Sequence, residues 1–243
     1  MIILDCETYS NYFLLSMLDT DSGHIKDFEL FDGKDFDNKT VTAILKKHTT
    51  LGFNSSNYDL PVIVAALRGD TNAQIKQLSD DIINAPKVWP VLKKHKINIP
   101  QGFDHIDIMP IPIGQASLKI YGGRLHAPKM QDLPIEPNAL IFPEQRETLR
   151  LYCHNDLQVT RILYEELKPQ IALREQMSKQ YGIDLRSNSD AQIAENVIKH
   201  ELEAKNIDCT RPTVKIGTTY KYTTPKHITF KSPLFNDLVA MIE

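Results

Sequence analysis

The chain has no apolar run long enough to cross a membrane. Its 243 residues are 42% hydrophobic and 24% charged, so its apolar residues are spread through a sequence that is large enough to bury a core. Residues 1–5 lack the positively charged start and the long apolar stretch of a secretory signal peptide. We therefore expect no membrane partner, and one full domain followed by a smaller part.

Cysteine is scarce. The chain contains Cys6, Cys153 and Cys209, an odd number without the spacing of a zinc-binding motif. A disulfide framework is not expected, which favours a reducing compartment. The sequence therefore predicts a cytoplasmic protein.

Positive charge is also in short supply, since the formal net charge at pH 7 is −3. Proteins that bind nucleic acid by broad neutralisation of phosphates are usually basic, which argues against a general nucleic-acid coat protein. An acidic protein can still act on phosphates when metal ions bring the positive charge. Glycine (10 residues) and proline (14 residues) are ordinary in number, which argues against a disordered or fibrous chain.

The hydrophobic pattern predicts alternating strands and helices. Strands are expected at residues 1–9, 11–18, 24–31, 49–53 and 105–111. Helices are expected at residues 38–48, 61–69, 72–97 with interruptions at Pro86 and Pro90, and 142–179 with a break or bend at Pro169. This order predicts an α/β fold, with a mixed sheet flanked by helices.

The composition changes after residue 182, so we expect a first domain at residues 1–182 and an extension at residues 183–243. Residues 187–190 are typical of a helix cap before a helix at residues 191–204. The Thr- and Lys-rich stretch 210–231 favours an exposed β-hairpin over an element that follows a nucleic-acid strand or docks on a partner. The apolar run 238–242 is expected to be buried against something outside the chain.

Two acids share one face of the first predicted strand. Asp5 and Glu7 are two residues apart, so their side chains point to the same side, and Cys6 points to the other side. Such carboxylates repel one another unless a cation, such as a divalent metal ion, neutralises them. The alternative is a strand end with two solvated acids.

Two further segments supply acidic residues. Asp59 lies just before Pro61, where it can cap a helix or contribute a third clustered acid. Tyr152 and Asp156 are four residues apart on the long predicted helix and therefore share a face, although a part-buried tyrosine beside a surface acid is the alternative. His154 lies on another face, where a solvent-exposed histidine is a simpler interpretation than a general base.

Together the three segments resemble known nuclease motifs. They are residues 5–8 (DCET), 52–61 (GFNSSNYDLP) and 152–156 (YCHND). Their order is similar to that of the DEDD superfamily of 3′–5′ exonucleases, in its tyrosine-bearing branch, and their spelling is closest to the proofreading domains of family B DNA polymerases. Residues 117–125 are similar, less specifically, to phage polymerase exonuclease regions. The resemblance covers roughly residues 1–180.

The resemblance implies a ribonuclease H-like fold and the removal of 5′-nucleoside monophosphates from single-stranded DNA 3′ ends. It implies that two divalent metal ions, Mg²⁺ or Mn²⁺, are held by Asp5, Glu7, Asp59 and Asp156. It assigns Tyr152 the role of orienting the attacking water. It also implies that the 3′-terminal nucleotide is lined by Thr8, Phe53, Asn54, Asn57 and Tyr58.

The chain departs from the polymerase pattern because it contains no recognisable polymerase palm. A DNA polymerase portion, in the same or another chain, is therefore the expected partner, in the host cytoplasm if a phage encodes the protein. Two alternatives stay open: an RNA-trimming exoribonuclease of the same superfamily, and a non-catalytic, polymerase-associated subunit that binds nucleic acid. The motif spelling favours DNA, and the five filled positions favour an enzyme.

Overall fold

The computed structural model describes residues 1–114, 116–210 and 213–243, which contain five strands and eight α-helices. The strands are β1 (Ile2–Tyr9), β2 (Tyr12–Asp19), β3 (Ile25–Phe31), β4 (Thr50–Gly52) and β5 (His105–Asp107). The helices are α1 (Asn38–Lys47), α2 (Asp59–Arg68), α3 (Asn72–Asn84), α4 (Val88–Lys94), α5 (Leu118–Arg124), α6 (Arg146–Tyr181), α7 (Asp190–Glu203) and α8 (Pro233–Ile242). The predicted α/β class is confirmed.

The five strands form one mixed sheet in the order β3-β2-β1-β4-β5. The first three strands are antiparallel neighbours. Strand β4 runs parallel to β1, and β5 runs parallel to β4. Parallel neighbours need a crossover connection, which the helices provide. This arrangement is consistent with a ribonuclease H-like fold and makes β1 the central strand.

Strand β1 lies between two hydrophobic cores because its alternate side chains face opposite sides of the sheet. Leu4 and Cys6 are buried on the side covered by α1 to α4, which confirms the predicted direction of Cys6. Ile3 is buried on the other side with Leu51, against Leu157 of α6. Side chains at the end of β1 are therefore carried by a strand that packing holds on both faces.

Helix α6 is continuous through Pro169, so of the predicted break or bend the break is wrong, and the bend stays a prediction. Proline removes one backbone hydrogen bond and crowds the preceding turn. Leu167 and Ile171, on either side of Pro169, are both buried in the core that also contains Leu157. Packing on both sides of the proline therefore holds the helix together.

Proline also explains the end of β5 and the bounds of α3 and α4, some of which differ from their predictions. Strand β5 ends at Asp107, where the carboxylate accepts the Met109 N–H (3.0 Å) and Pro110 has no N–H to offer a sheet. Helix α3 ends at Asn84, as the interruption at Pro86 predicts. Pro90 lies in the first turn of α4, where proline is tolerated, and so it does not interrupt a helix.

The described residues form two compact units, Met1–Ile198 and Lys199–Glu243. In the first unit, buried Arg174 of α6 donates to the carbonyl of Asn188 (2.9 Å) and to Asp190 (2.5 Å). Ser189 caps α7 by exchanging hydrogen bonds with Gln192, as predicted. The composition boundary at residue 182 stays a prediction, and the compact first unit extends beyond it.

The second unit contradicts the predicted β-hairpin, because the structure has no strand among residues 213–231. A hairpin needs an apolar face packed against a core, and Val214 and Ile216 are exposed here. Residues 238–242 lie on α8, where Leu238 is 45% and Met241 83% exposed. In the part of the chain that the structure describes, no helix combines the length and apolarity needed to span a bilayer.

Gly52, at the end of β4, should not tolerate a side chain. An added Cβ would lie 2.5 Å from Ser55 Cβ and 3.2 Å from the Leu4 carbonyl oxygen. We expect Gly52→Ala to lower the free energy of unfolding by about 1–3 kcal/mol, because overpacking a buried turn forces its neighbours apart. Urea denaturation measures the change. Gly102→Ala is the control, since a Cβ there meets nothing within 4 Å, and equal losses in the two variants would contradict the prediction.

Candidate active site and metal centre

Asp5 and Glu7 project from one face of β1 toward α6, as their spacing predicts. The Cys153 thiol of α6 donates to Asp5 Oδ2 at 3.3 Å. Ligand atoms of Asp5, Glu7 and Cys153 all lie within 4.8 Å of one another. Both acids are half-buried, so they face a partly enclosed space and are not the solvated strand end of the alternative interpretation.

Tyr152 and Asp156 lie one turn apart on α6 and face the same space. Tyr152 is 8% exposed. Burial raises the pKa of its phenol, and the charges of Asp156 and Glu7 raise that pKa further. Burial also raises the pKa of Asp156, while a hydrogen bond with Tyr152 opposes the rise. The phenol therefore keeps its proton at neutral pH.

Asp59 is the first residue of α2 and is only 3% exposed. Tyr58 occupies the cap position without a side-chain cap bond, so the interpretation of Asp59 as the helix cap is wrong. Oδ1 of Asp59 is buried and has no hydrogen-bond partner among the described residues. Burial raises the pKa of this carboxyl to about 7, and the charge of Asp107 adds to the effect.

The four acids act on one another electrostatically. Burial raises the pKa of Asp5 well above its usual range, and the charges of Asp59, Glu7 and Asp156 raise it further. The pKa of Glu7 is raised by burial, then by Asp156 and Asp59. The structure thus brings together the five residues predicted to be catalytic, from β1, α2 and α6.

The residues at this cluster fit a divalent cation. Carboxylate oxygens are the donors that Mg²⁺ and Mn²⁺ prefer. A buried carboxylate oxygen without a hydrogen-bond partner, such as Oδ1 of Asp59, is costly unless a proton or a cation compensates it. Asp5 and Glu7, with Cys153, form a group whose ligand atoms could hold a metal ion, and the assignment of Asp59 and Asp156 as further ligands stays a prediction. The number of ions stays a prediction.

Thr8 and Tyr58, two of the predicted nucleotide-lining residues, meet at a small cavity. Their hydroxyls form a triangle with Ser79 of α3, with oxygen–oxygen distances of 2.8, 2.8 and 2.9 Å. The cavity has a volume of about 140 Å³, and Glu7 and Lys76 also line it. The acid cluster therefore opens into a pocket with hydroxyl groups at its wall.

Asn54 and Asn57 lie in a loop that Asp107 holds in place. Asp107 accepts the backbone N–H groups of Asn54 (2.9 Å) and Ser56 (3.0 Å), and Asn54 adopts a left-handed conformation with φ of 58°. The two asparagine side chains bond each other at 3.2 Å and line a separate cleft of about 580 Å³. Sequence reasoning missed Asp107, although an acid at the end of a short buried strand is a usable signal.

Phe53 is not brought together with Thr8 and Tyr58. Its ring packs in the core beside α5, edge-on to Tyr121 with ring centroids 6.1 Å apart. The contribution of Phe53 to nucleotide binding stays a prediction, because a ring packed in this way can have the purely structural role of holding β4 in position.

His154 lies on another face of α6, as predicted, but it is half-buried and not solvated. Its Nε2 pairs with Asp27 of β3 at 2.8 Å, and the Ser16 hydroxyl also donates to Asp27 at 2.6 Å. The imidazole of His154 is thus held by its contact with β3. This contact argues against a role as general base in the acid cluster.

The raised pKa of Asp59 makes the metal-free protein sensitive to pH. Between the unfolded pKa of about 3.9 and the folded value of about 7, the native state binds more protons than the unfolded state. The free energy of unfolding contributed by Asp59 therefore falls as pH rises through this window, by up to about 4 kcal/mol.

In chelator, we expect wild-type stability to fall more steeply from pH 4 to pH 7 than that of Asp59→Asn, as measured by urea denaturation. His105, whose pKa burial lowers to about 4, acts in the opposite direction in the same window. Its contribution is common to both proteins and cancels in the comparison. Parallel stability curves would contradict the prediction.

Known proteins supply no assignment for this site. No protein-family model, no curated protein and no solved structure matches the chain. A function for the cluster must therefore come from the chain's own residues and geometry.

Proposed function

We propose that this chain is a metal-dependent 3′–5′ exonuclease that removes 5′-nucleoside monophosphates from single-stranded DNA ends. The observation that carries the proposal is the mutual approach of four carboxylates from three separate segments, beside a buried tyrosine. Like charges held together in this way destabilise a fold, so a structural role alone gives them no reason to converge. The same five residues are those to which the motif resemblance assigns catalysis.

The acids hold the metal in this proposal. Asp5, Glu7, Asp59 and Asp156 would bind two Mg²⁺ or Mn²⁺ ions. Two bound ions lower the pKa of an attacking water and stabilise charge on the leaving oxygen of a phosphodiester. The chain contributes the fixed direction of its carboxylates, since β1 is packed on both faces and α2 places Asp59 at a helix start.

Tyr152 positions water in this proposal. Its phenol keeps its proton because burial and the neighbouring acids raise its pKa. A protonated phenol can orient a water by a hydrogen bond but is a poor base at neutral pH. His154 does not serve as the base, because Asp27 engages it elsewhere.

The cavity beside Glu7 supports a place for the terminal nucleoside. Thr8, Tyr58 and Ser79 present hydroxyl groups there, and Lys76 contributes a cation that also pairs with Asp80 and Asn138. A pocket that opens from the metal ligands keeps the terminal phosphodiester near the acids. Asn54 and Asn57 line the second cleft, where their amides would contact nucleotides of the DNA further from its 3′ end.

The proposed setting is a replicative, phage-like DNA polymerase, whose polymerase portion lies in the same or another chain. A cytoplasmic location, in the host cell if a phage encodes the protein, belongs to this proposal. The net charge of −3 leaves little electrostatic attraction to duplex DNA. The chain alone should therefore act distributively on single strands.

A time course on 3′- and 5′-labelled single-stranded DNA and RNA, with and without Mg²⁺, tests the function. Stepwise shortening of DNA from the 3′ end, only with Mg²⁺, is the expected result. Preference for RNA would favour the exoribonuclease alternative, and binding without cleavage would favour the non-catalytic subunit. With primer–template and all four deoxynucleoside triphosphates, we expect shortening and no extension.

Removing any one of three acids should abolish cleavage. Asp5→Ala, Asp59→Ala and Asp156→Ala each remove oxygen ligands from the cluster, and we expect rates lower by roughly three orders of magnitude or more. Asp35→Ala is the matched control, since Asp35 is an exposed acid in the loop after β3. A folded variant of the first three that keeps most of the wild-type rate would show that its acid is wrongly assigned.

Tyr152→Phe should slow cleavage without unfolding the protein. The substitution removes one oriented hydrogen bond and keeps the ring, so we expect a rate lower by roughly 10- to 1000-fold, with DNA binding retained. Single-turnover kinetics and circular dichroism measure the two properties. His154→Gln is the comparison, and a larger loss of rate in that variant than in Tyr152→Phe would reverse the assignment of the two side chains.

A further inference from the structure

Besides its four carboxylates, the acid cluster contains one further donor side chain, the thiol of Cys153. The sulfur of Cys153 lies 3.3 Å from Asp5 Oδ2, and it reaches into the same space as Glu7. Cys153 follows Tyr152 on α6 and is fully buried. It belongs to the hydrophobic core that also contains Tyr9 and Leu149. Its thiol is thus directed at the acids by the packing of the helix.

The spacing of these atoms resembles that of ligands around one tetrahedral ion. Zinc–sulfur and zinc–oxygen bonds of about 2.3 and 2.1 Å at a tetrahedral angle place the two ligand atoms about 3.6 Å apart. The observed distance between Cys153 Sγ and Asp5 Oδ2 is 3.3 Å. The third ligand atom, from Glu7, lies within 4.8 Å of both, so the three side chains surround one common position.

A separate observation also points to a cation at this place. Oδ1 of Asp59 is buried without a hydrogen-bond partner among the described residues. The charge of Asp59 acts on both Asp5 and Glu7, which places it against the same group of ligands. An unsatisfied buried oxygen beside three donor atoms is a position that a positive ion would stabilise.

We propose that Asp5, Glu7 and Cys153 form a binding site for a thiophilic divalent cation, zinc in particular, with the Cys153 sulfur as a ligand. Sulfur is a favourable donor for Zn²⁺, whereas Mg²⁺ prefers oxygen donors and keeps its waters. Zinc should therefore bind more tightly than magnesium and compete with it for Asp5 and Glu7. The inference deepens the proposed function, because it concerns the same acids, but it does not depend on nuclease activity.

The binding step balances without any redox partner. The S–H bond of Cys153 breaks, the zinc–sulfur bond forms, and the proton passes to solvent. The cation brings two positive charges to a cluster in which the neighbouring acids otherwise raise the pKa values of Asp5 and Glu7. Zinc occupancy would thus regulate the centre by replacing the harder ion at shared ligands.

Co²⁺ in place of Zn²⁺ makes the sulfur ligand visible, using the full chain without nucleic acid and with its thiols kept reduced. We expect a sulfur-to-cobalt charge-transfer band in the near ultraviolet and the intense visible bands of four-coordinate cobalt. Both should be lost in Cys153→Ser. Both should remain in Cys209→Ser, which is the matched control, because Cys6 forms a hydrogen bond with Asp59 and is therefore not independent of the cluster.

Competition titrations give the expected size of the effect. The zinc dissociation constant should rise by about 10–100-fold in Cys153→Ser, while the magnesium dissociation constant stays the same. Absence of the charge-transfer band in the wild type, or its persistence in Cys153→Ser, would overturn the inference. An equal weakening of zinc and magnesium would overturn it too.

X-ray absorption of the zinc-loaded wild type covers the case in which Cys153→Ser fails to fold. One sulfur neighbour at about 2.3 Å supports the site, and a shell of oxygen and nitrogen alone refutes it. The outcome is independent of the nuclease assay. A sulfur signal in a protein without nuclease activity would support this inference and contradict the proposed function. Nuclease activity without a sulfur signal would support the proposed function and contradict this inference.

Discussion

The charges of Asp59 on α2 and Asp156 on α6 raise the pKa values of Asp5 and Glu7 on β1, and the rest of the fold has to hold these four carboxylates together against that repulsion. Strand β1 can carry two of them because its other side chains are buried in cores on both faces of the sheet. Ile3 and Leu4, on opposite faces, are almost fully buried just before Asp5. The burial of the apolar side chains of β1 thus supplies the free energy that holds the two acids of the same strand in place.

Helix α6 needs further contacts, because Tyr152 and Asp156 face the acids only when the helix is held in one rotational orientation about its own axis. Arg150 pairs with Glu29 of β3 at 2.6 Å, and His154 pairs with Asp27 of the same strand at 2.8 Å. Partly exposed pairs of this kind contribute about 0–1 kcal/mol each. Their larger effect is geometric, since two contacts one turn apart fix the rotation and the height of α6 against the sheet.

The parts of this structure that sequence predicts are those set by short-range periodicity. The two-residue spacing of Asp5 and Glu7 and the four-residue spacing of Tyr152 and Asp156 each place a pair on one face. Long-range packing decided the rest. The burial of Leu167 and Ile171 kept α6 whole at Pro169, and only the fold shows that Cys153 reaches Asp5. The absence of strands among residues 213–231 likewise reflects a missing core, which strand propensity does not report.

Two buried aspartates near the start of α2 show how structure separates a functional acid from a structural one. Asp59 and Asp107 are each 3% exposed, and burial raises the pKa of both. Asp107 accepts three backbone N–H groups and thereby shapes the loop at residues 54–56. The Asp59 carboxylate accepts hydrogen bonds from Cys6 and from the backbone, but its Oδ1 accepts none among the described residues, and its charge acts on Asp5 and Glu7. The two aspartates are equally buried, but only Asp59 has an oxygen without a hydrogen-bond partner in the described part of the chain. We therefore assign Asp107 the structural role of holding the loop, and Asp59 is the acid with a free oxygen for a ligand.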